Sequence, residues 1–266
     1  MTRIAVFSDV HGNTPALAAV LAAIDAEGVD HVLNLGDIVS GAVDPRGTLD
    51  LLDSRPDIVT VRGNHERQVL TLPYDEMGGV DRIAAGVLTD ADRAWLGSLP
   101  LTAQPVPGVL AFHATPDDDA TYLTETGVGL TADDTQGVRE ATDDELIERL
   151  GTAYGAHALY LCGHTHLARS RRLPDGSLLV NPGSVGWPAY EDETPKPHRV
   201  EVGAPDARYA IVSRADDADD GSAGQPGATW ESRLRSAPYD HGAAAASAEG
   251  LGRADIAQAL RTGRLA

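Results

Sequence analysis

Apolar residues in this chain come in short runs that stop abruptly at polar ones. Arg3 to Phe7 is a β-rich run followed by the polar loop Asp9-Val-His-Gly-Asn13, after which Thr14-Pro15 opens a helix. Proline suits the first helical turn, and Asn13 or Thr14 can cap it. Leu17, Val20, Leu21 and Ile24 fall at i, i+3, i+4 and i+7, so one face of this helix packs on a sheet and Gly28 is placed to end it. Further runs predict strands at His31 to Leu35, Ile58 to Val61, Val109 to Phe112, Ala158 to Leu161 and Ser177 to Val180. Strands alternating with helical patterns indicate a layered α/β architecture. Each of these strands delivers an Asp, Asn or His just past its end. Ligands of open α/β sheets bind beyond the carboxyl ends of strands, so one site assembled from distant segments is the expectation.

Towards the C-terminus, Ala207 to Val212 and Thr229 to Leu234 predict strands and Ala254 to Leu260 a helix. Residues 213 to 228 hold four Asp and one Arg with no large apolar residue, which predicts a flexible acidic loop. With no internal repeat and no linker between two cores, residues 1–266 read as a single domain.

Composition narrows the class. Hydrophobic residues make up 42% and charged residues 23%, as in ordinary soluble globular proteins. No apolar run approaches the ~18 residues of a membrane span, and Asp9 interrupts the N-terminus before a signal-peptide segment can form. The single Cys162 precludes an intrachain disulfide and a cysteine-cluster zinc site, and it reads as a buried strand residue. Together these predict a cytoplasmic protein. Lys and Arg number 21 against 40 Asp and Glu, for a net charge of -19, so nucleic acid is a poor default partner. An anionic substrate must then meet a local positive charge, which a bound metal can supply.

Taken singly, Asp9-x-His11, Gly36-Asp37 and Gly63-Asn64-His65-Glu66 are common turn chemistry. Gly163-His164-Thr165-His166 is stronger, because two imidazoles two residues apart at a strand end can reach two neighbouring ions. Five of the nine histidines (His11, His65, His113, His164, His166) occupy such strand-end positions. In this order the blocks resemble the five-block signature of calcineurin-like metallophosphoesterases. Asn181-Pro-Gly-Ser184-Val-Gly186 and Ser8-Asp-Val-His-Gly-Asn13 are similar to segments of its small bacterial phosphodiesterase-type branch.

That resemblance implies two mixed β-sheets packed as a sandwich and flanked by helices. It implies Asp9, His11 and His166 on one metal, Asn64, His113 and His164 on the other, and Asp37 bridging both. It also implies substrate contacts at Asn13 and Ser184. Imidazole and carboxylate donors suit manganese, iron, zinc or nickel better than calcium, and manganese is the leading expectation. Two such ions, less the charges of Asp9, Asp37 and a bridging hydroxide, leave about one net positive charge to draw in phosphate and deliver the hydroxide in line. His65 is the candidate to protonate the leaving group or to stabilise phosphoryl charge; a histidine that merely orients Asn64 is the alternative. Protein phosphatases of the superfamily carry Gly-Asp-x-x-Asp-Arg-Gly, whereas Gly36-Asp37-Ile-Val-Ser40-Gly41 lacks the second Asp and the Arg, so the usual acidic partner of His65 is missing from its place.

The expected activity is hydrolysis of small-molecule phosphate esters, above all phosphodiesters, with dinucleoside polyphosphate or nucleotide hydrolysis as the alternative and a non-catalytic scaffold of the same fold as the other class. Asp117 to Asp119 either rim the pocket or form a solvated loop. Trp187 and Tyr190 are expected in the core, with stacking on a nucleobase the alternative. His31, His157, His198 and His241 carry no spacing argument.

Overall fold

A computed structural model describes residues 1–214 and 229–266 of the chain. In chain order the strands are β1 (Thr2–Phe7), β2 (His31–Asn34), β3 (Ile58–Thr60), β4 (Thr102–Ala103), β5 (Val109–Phe112), β6 (Glu125–Gly127), β7 (Val138–Glu140), β8 (Leu159–Leu161), β9 (Arg169–Arg172), β10 (Leu178–Asn181), β11 (Ala189–Asp192), β12 (His198–Glu201), β13 (Ala207–Arg214) and β14 (Trp230–Ala237). The helices are α1 (Thr14–Glu27), α2 (Pro45–Asp53), α3 (Asn64–Thr71), α4 (Gly79–Ala85), α5 (Asp90–Ser98), α6 (Asp143–Leu150), α7 (His241–Gly250) and α8 (Ala254–Thr262).

Two five-stranded mixed sheets form the body, in the orders β14-β13-β1-β2-β3 and β4-β5-β8-β10-β9. In the first sheet β1, β2 and β3 run parallel, and in the second β5, β8 and β10 do. A bridge between Ser8 and Ser184 joins the segments that follow β1 and β10. Alternation along β1 shows how the layers stack. Ile4 and Val6 meet Leu33, Val109, Leu159, Leu161 and Val180 between the sheets, while Ala5 and Phe7 meet Leu17, Val20 and Ile24 of α1 outside. Successive strand side chains point to opposite faces, so a strand covered on both reads as a continuous apolar run. The second sheet's outer face packs Leu110, Phe112 and Tyr160 against Leu146 and Leu150 of α6.

Asn13 caps α1 by accepting from Ala16 N, Pro15 sits in its first turn, and Gly28 ends it in the left-handed conformation, as the spacing predicts. Near the C-terminus, α7 and α8 bury Ala245, Ala248, Ile256 and Leu260 against Ala42 and Val80 of α4. Of the segment expected as an acidic loop, Ser213 and Arg214 complete β13, paired with Glu231 and Trp230, and residues 215–228 lie outside the described residues. Among the described residues, no helix is long and apolar enough to cross a membrane.

Candidate metal centre

The parallel strands of both sheets end at one place. Segments after β1, β2 and β3 carry Asp9 and His11, Asp37, and Asn64. Those after β5 and β8 carry His113, and His164 with His166. Two groups of donors result, Asp9 with His11 and His166, and Asp37 with His113 and His164, the atoms of each within 4.8 Å of one another. Asp37 Oδ2 lies 3.2 Å from His113 Nε2 and 3.9 Å from His11 Nε2, so it reaches both groups. Asn64 Oδ1 is 3.1 Å from His113 Nε2.

Backbone conformation marks the same residues. Among the described residues, the non-glycine positions with positive φ are Asp9 (57°), His11 (48°), Asp37 (54°), His164 (67°) and His166 (60°). Sparsely populated conformations of this kind cost on the order of 1–3 kcal/mol each and persist where surrounding structure over-determines them. Glycines supply the close approach: a side chain on Gly63 would meet Asp37 Oδ1 at 2.2 Å, and one on Gly163 would meet Ser8 Oγ at 2.0 Å. Buried Glu66, at the third position of α3, accepts from Gly63 N (2.9 Å), Asp37 N (2.9 Å) and Ile38 N (2.7 Å). It thereby ties the β2 loop to the start of α3.

The donor set fits metal ions. Each of four rings turns one nitrogen to a main-chain carbonyl: His11 Nδ1 to Ser40 O (2.7 Å), His166 Nδ1 to Trp187 O (2.7 Å), His113 Nδ1 to Leu35 O (2.8 Å) and His164 Nε2 to Ala120 O (2.8 Å). A carbonyl can only accept, so that nitrogen carries the hydrogen and the other is left for a ligand. The inward nitrogens then face one another at 3.1 Å for His11 and His166 and at 3.2 Å for His113 and His164. His11 and His166, both held neutral by burial, turn two lone pairs towards one another, an arrangement that a cation between them would relieve. Burial pushes His11 down to about 4 and His164 to about 3, keeping both neutral and ligand-competent. His113 goes the other way, because Asp37 and Asp9 overcome the burial penalty and raise it to about 10. Asp37 is buried too, yet His113, His65 and His11 hold it well below the usual carboxylate range.

His65 stands apart from this ligand array. Its Nδ1 is 2.7 Å from Asp81 Oδ1, and its main-chain N–H donates to Asp37 Oδ1 at 3.0 Å. Burial opposes its protonation, but Asp37 and Asp81 together raise it to about 9. Asp81 is thus the acidic partner that the β2 loop does not provide; it comes from α4, buried beside Val80 and Ala84.

Above the ligands is a 440 Å³ cavity lined by His11, Asp37, Asn64, His65, His164 and His166; Asp9 and His113 lie beneath it with 0% exposure. Trp187 and Tyr190 wall this cavity and are half-buried, a correction to their expected place in the core. Tyr190 Oη is hydrogen-bonded to Tyr122 Oη (2.6 Å), Tyr122 Oη to His198 Nε2 (2.9 Å), and His198 Nδ1 donates to Lys196 O (2.8 Å). A histidine without a spacing signal therefore orients the wall. A 520 Å³ cavity adjoins, sharing Asn64, Gln68, Tyr122, His164 and Asp192 with the first.

Asn13 and Ser184 are not among the residues lining either cavity. Asn13 Nδ2 donates to Gly186 O (3.1 Å) and Tyr239 Oη (3.2 Å) while its Oδ1 caps α1. Ser184 Oγ donates to Asp9 O (2.9 Å) and accepts from Trp187 N (2.8 Å). These hydrogen bonds shape the loops under the site. In the loop after His113, Asp119 pairs with Arg67 (2.7 Å) and exposed Asp118 lines the adjoining cavity. Cys162 is buried, as expected.

Relatives share this architecture. The chain is 35% identical over 209 residues to the uncharacterized protein MJ0912 of Methanocaldococcus jannaschii, covering 70% of this chain and 77% of that protein. Its fold is similar to that of a hypothetical protein, PH1004, from Pyrococcus horikoshii OT3 (TM-score 0.71, 17% identity, 100% of both chains). It is also similar to that of a metallophosphoesterase from Sphaerobacter thermophilus (TM-score 0.67, 22% identity, 99% of this chain and 100% of that one). A profile of the calcineurin-like phosphoesterase superfamily domain matches residues 2–201. With three quarters of its length matched and both donor groups assembled where the sheets meet, the chain belongs to the calcineurin-like phosphoesterase superfamily.

Proposed function

We propose that the protein is a metal-dependent phosphodiesterase acting on small molecules. The observation that carries this reading is the pair of cavities meeting at Asn64 and His164. A phosphate seated at the candidate ligands has room for a substituent on either side, which a diester needs and a monoester does not. Two divalent ions held by Asp9, His11, His166, Asp37, Asn64, His113 and His164 would offset phosphoryl charge and lower the pKa of a water between them; manganese is the leading candidate.

His65 then handles the leaving alkoxide. With Nδ1 on Asp81, its Nε2–H is free to protonate the departing oxygen, and the raised pKa of about 9 keeps that proton available at neutral pH. Asp81 fixes the ring's tautomer and direction. The first cavity brings Glu76, Asp81, Glu191 and Asp192 and, among the described residues, no Lys or Arg, and the adjoining one brings Arg149, whose guanidinium is bonded to Leu123 O, Glu125 O and Thr126 Oγ1; this disfavours polyphosphates and phosphoproteins that arginine clamps usually hold. Single Cys162 and the absence of a basic footprint support a cytoplasmic enzyme with a small-molecule rather than a nucleic-acid substrate.

The test is kcat/KM, under equal manganese load, for bis(p-nitrophenyl) phosphate, p-nitrophenyl phosphate, a phosphoserine peptide and a dinucleoside tetraphosphate. The diester is expected to lead. Preference for the phosphopeptide or the monoester would overturn the reading, and preference for the tetraphosphate would move the assignment to nucleotide hydrolysis.

A further inference from the structure

The wall of the cavity beside His11 and His166 has its own chemistry. Trp187 and Tyr190 meet there edge to face, at 62° with ring centroids 6.3 Å apart, and both line the cavity. Trp187 lies 4.9 Å from the His11 ring and Tyr190 4.7 Å from the His166 ring. A group on a short spacer from the phosphate would therefore reach the two aromatic rings. Part of Trp187 is packed beside Ala42, Val80 and Ile256, so the wall is anchored. A hydrogen-bonded chain from Tyr190 through Tyr122 to His198 holds the Tyr190 ring in place.

The rim carries the complementary charge. Glu191 is neutralised by Arg199 Nε at 2.7 Å. Glu76 and Asp192 are exposed and line the cavity, and neither forms an ion pair with a basic side chain of the described residues.

We infer that the arm of the diester lying against Trp187 and Tyr190 carries a cationic alkylammonium group, the class to which phosphocholine and phosphoethanolamine diesters belong. Aromatic faces attract a cation within about 6 Å of the ring centroid, and quaternary ammonium recognition by aromatic walls is the best-attested use of that attraction. Rim carboxylates add long-range attraction for the same charge and repel an anionic substituent. The inference rests on the phosphodiesterase reading and deepens it.

A matched pair of substrates separates charge from shape: p-nitrophenyl phosphorylcholine and its neutral isostere p-nitrophenyl 3,3-dimethylbutyl phosphate, with bis(p-nitrophenyl) phosphate as the reference diester. The choline ester is expected to exceed the isostere in kcat/KM by about tenfold at low salt. Trp187→Leu and Asp192→Asn should each shrink that ratio. Equal rates for the matched pair, with the reference diester still cleaved, would overturn the inference and leave the phosphodiesterase reading intact. Failure to cleave any of the three by metal-loaded protein would overturn both. A readout independent of turnover is tryptophan fluorescence: saturable quenching by choline, lost in Trp187→Leu, is expected, and an equal response to 3,3-dimethylbutanol would overturn the inference.

Discussion

The two sides of the cavity are held in different ways. On the ligand side Asp9, His11, Asp37 and His166 have exposures of 0 to 4%, strained backbones and rings pinned by main-chain carbonyls. On the other side Trp187 and Tyr190 are half-buried in ordinary conformations and Glu76 and Asp192 are exposed. The first side spends stability to hold charge-binding atoms in one geometry, and the second spends little and presents a shape. Chemistry that must concentrate charge demands over-determination, whereas recognition of a substituent tolerates give.

Substitutions on the ligand side should be severe and those on the wall graded. Asp37→Asn, which weakens the carboxylate that reaches both donor groups, should cut turnover to background and lower bound metal below the up to two ions per chain expected of the wild type, as read by elemental analysis. Metal uptake should also respond to pH in a definite direction. His113 is raised to about 10, so its inward proton is present at neutral pH and must leave when an ion binds. Apparent affinity should therefore rise with pH and fall with acidification, with proton release detectable by calorimetry in buffers of different ionisation enthalpy. Uptake without proton release would mean that His113 is not a ligand.

His65→Ala should lower kcat by roughly 10² to 10⁴ while metal content stays at the wild-type level. Loss of metal instead would place His65 among the ligands. Asp81→Asn should cost less, about 10- to 100-fold, because the imidazole remains. It should also move the alkaline limb of the kcat/KM profile to lower pH: a carboxylate partner raises the histidine pKa, so its removal lets the acid form disappear earlier as pH rises. An unmoved limb would detach Asp81 from the proton transfer.

Glu66→Gln sharpens the account of the strained side, since an amide cannot accept three backbone N–H groups as the carboxylate does. A loss of about 2 kcal/mol in denaturant unfolding is expected, and unchanged stability would mean that the β2 loop holds without it. The smallest effect belongs to the wall: Trp187→Leu should raise KM for a preferred diester a few-fold at nearly constant kcat. A large fall in kcat would show that both sides act as one rigid unit.

Legibility followed the same division. The candidate ligands were legible because the strand-end blocks that carry them, taken in order, resemble a family signature, although each block alone is common turn chemistry. Several elements were legible for local reasons, as in α1 with its cap, apolar stripe and terminal glycine. α7 offered a readable signal that the strand-end reasoning passed over, an alanine run behind the capping Asp240. Asp81 had no such signal, because a carboxylate near Val80 and Ala84 looks like any helix start until α4 is placed against α3. For loop residues such as Asn13 and Ser184, the sequence does not say which neighbours a polar motif side chain meets, and those neighbours decide whether it serves substrate or scaffold.

The sequence by itself determined the layered α/β class and the donor set at the strand ends, because apolar periodicity and residue chemistry are properties of short stretches. Only the tertiary structure decided that Asp81 faces His65, that Trp187 and Tyr190 wall the cavity, and that Tyr122 and His198 hold Tyr190. Those pairings join residues of different elements, as Tyr122 with His198 across 76 residues, and what brings them together is the packing of helices and strands over a shared core.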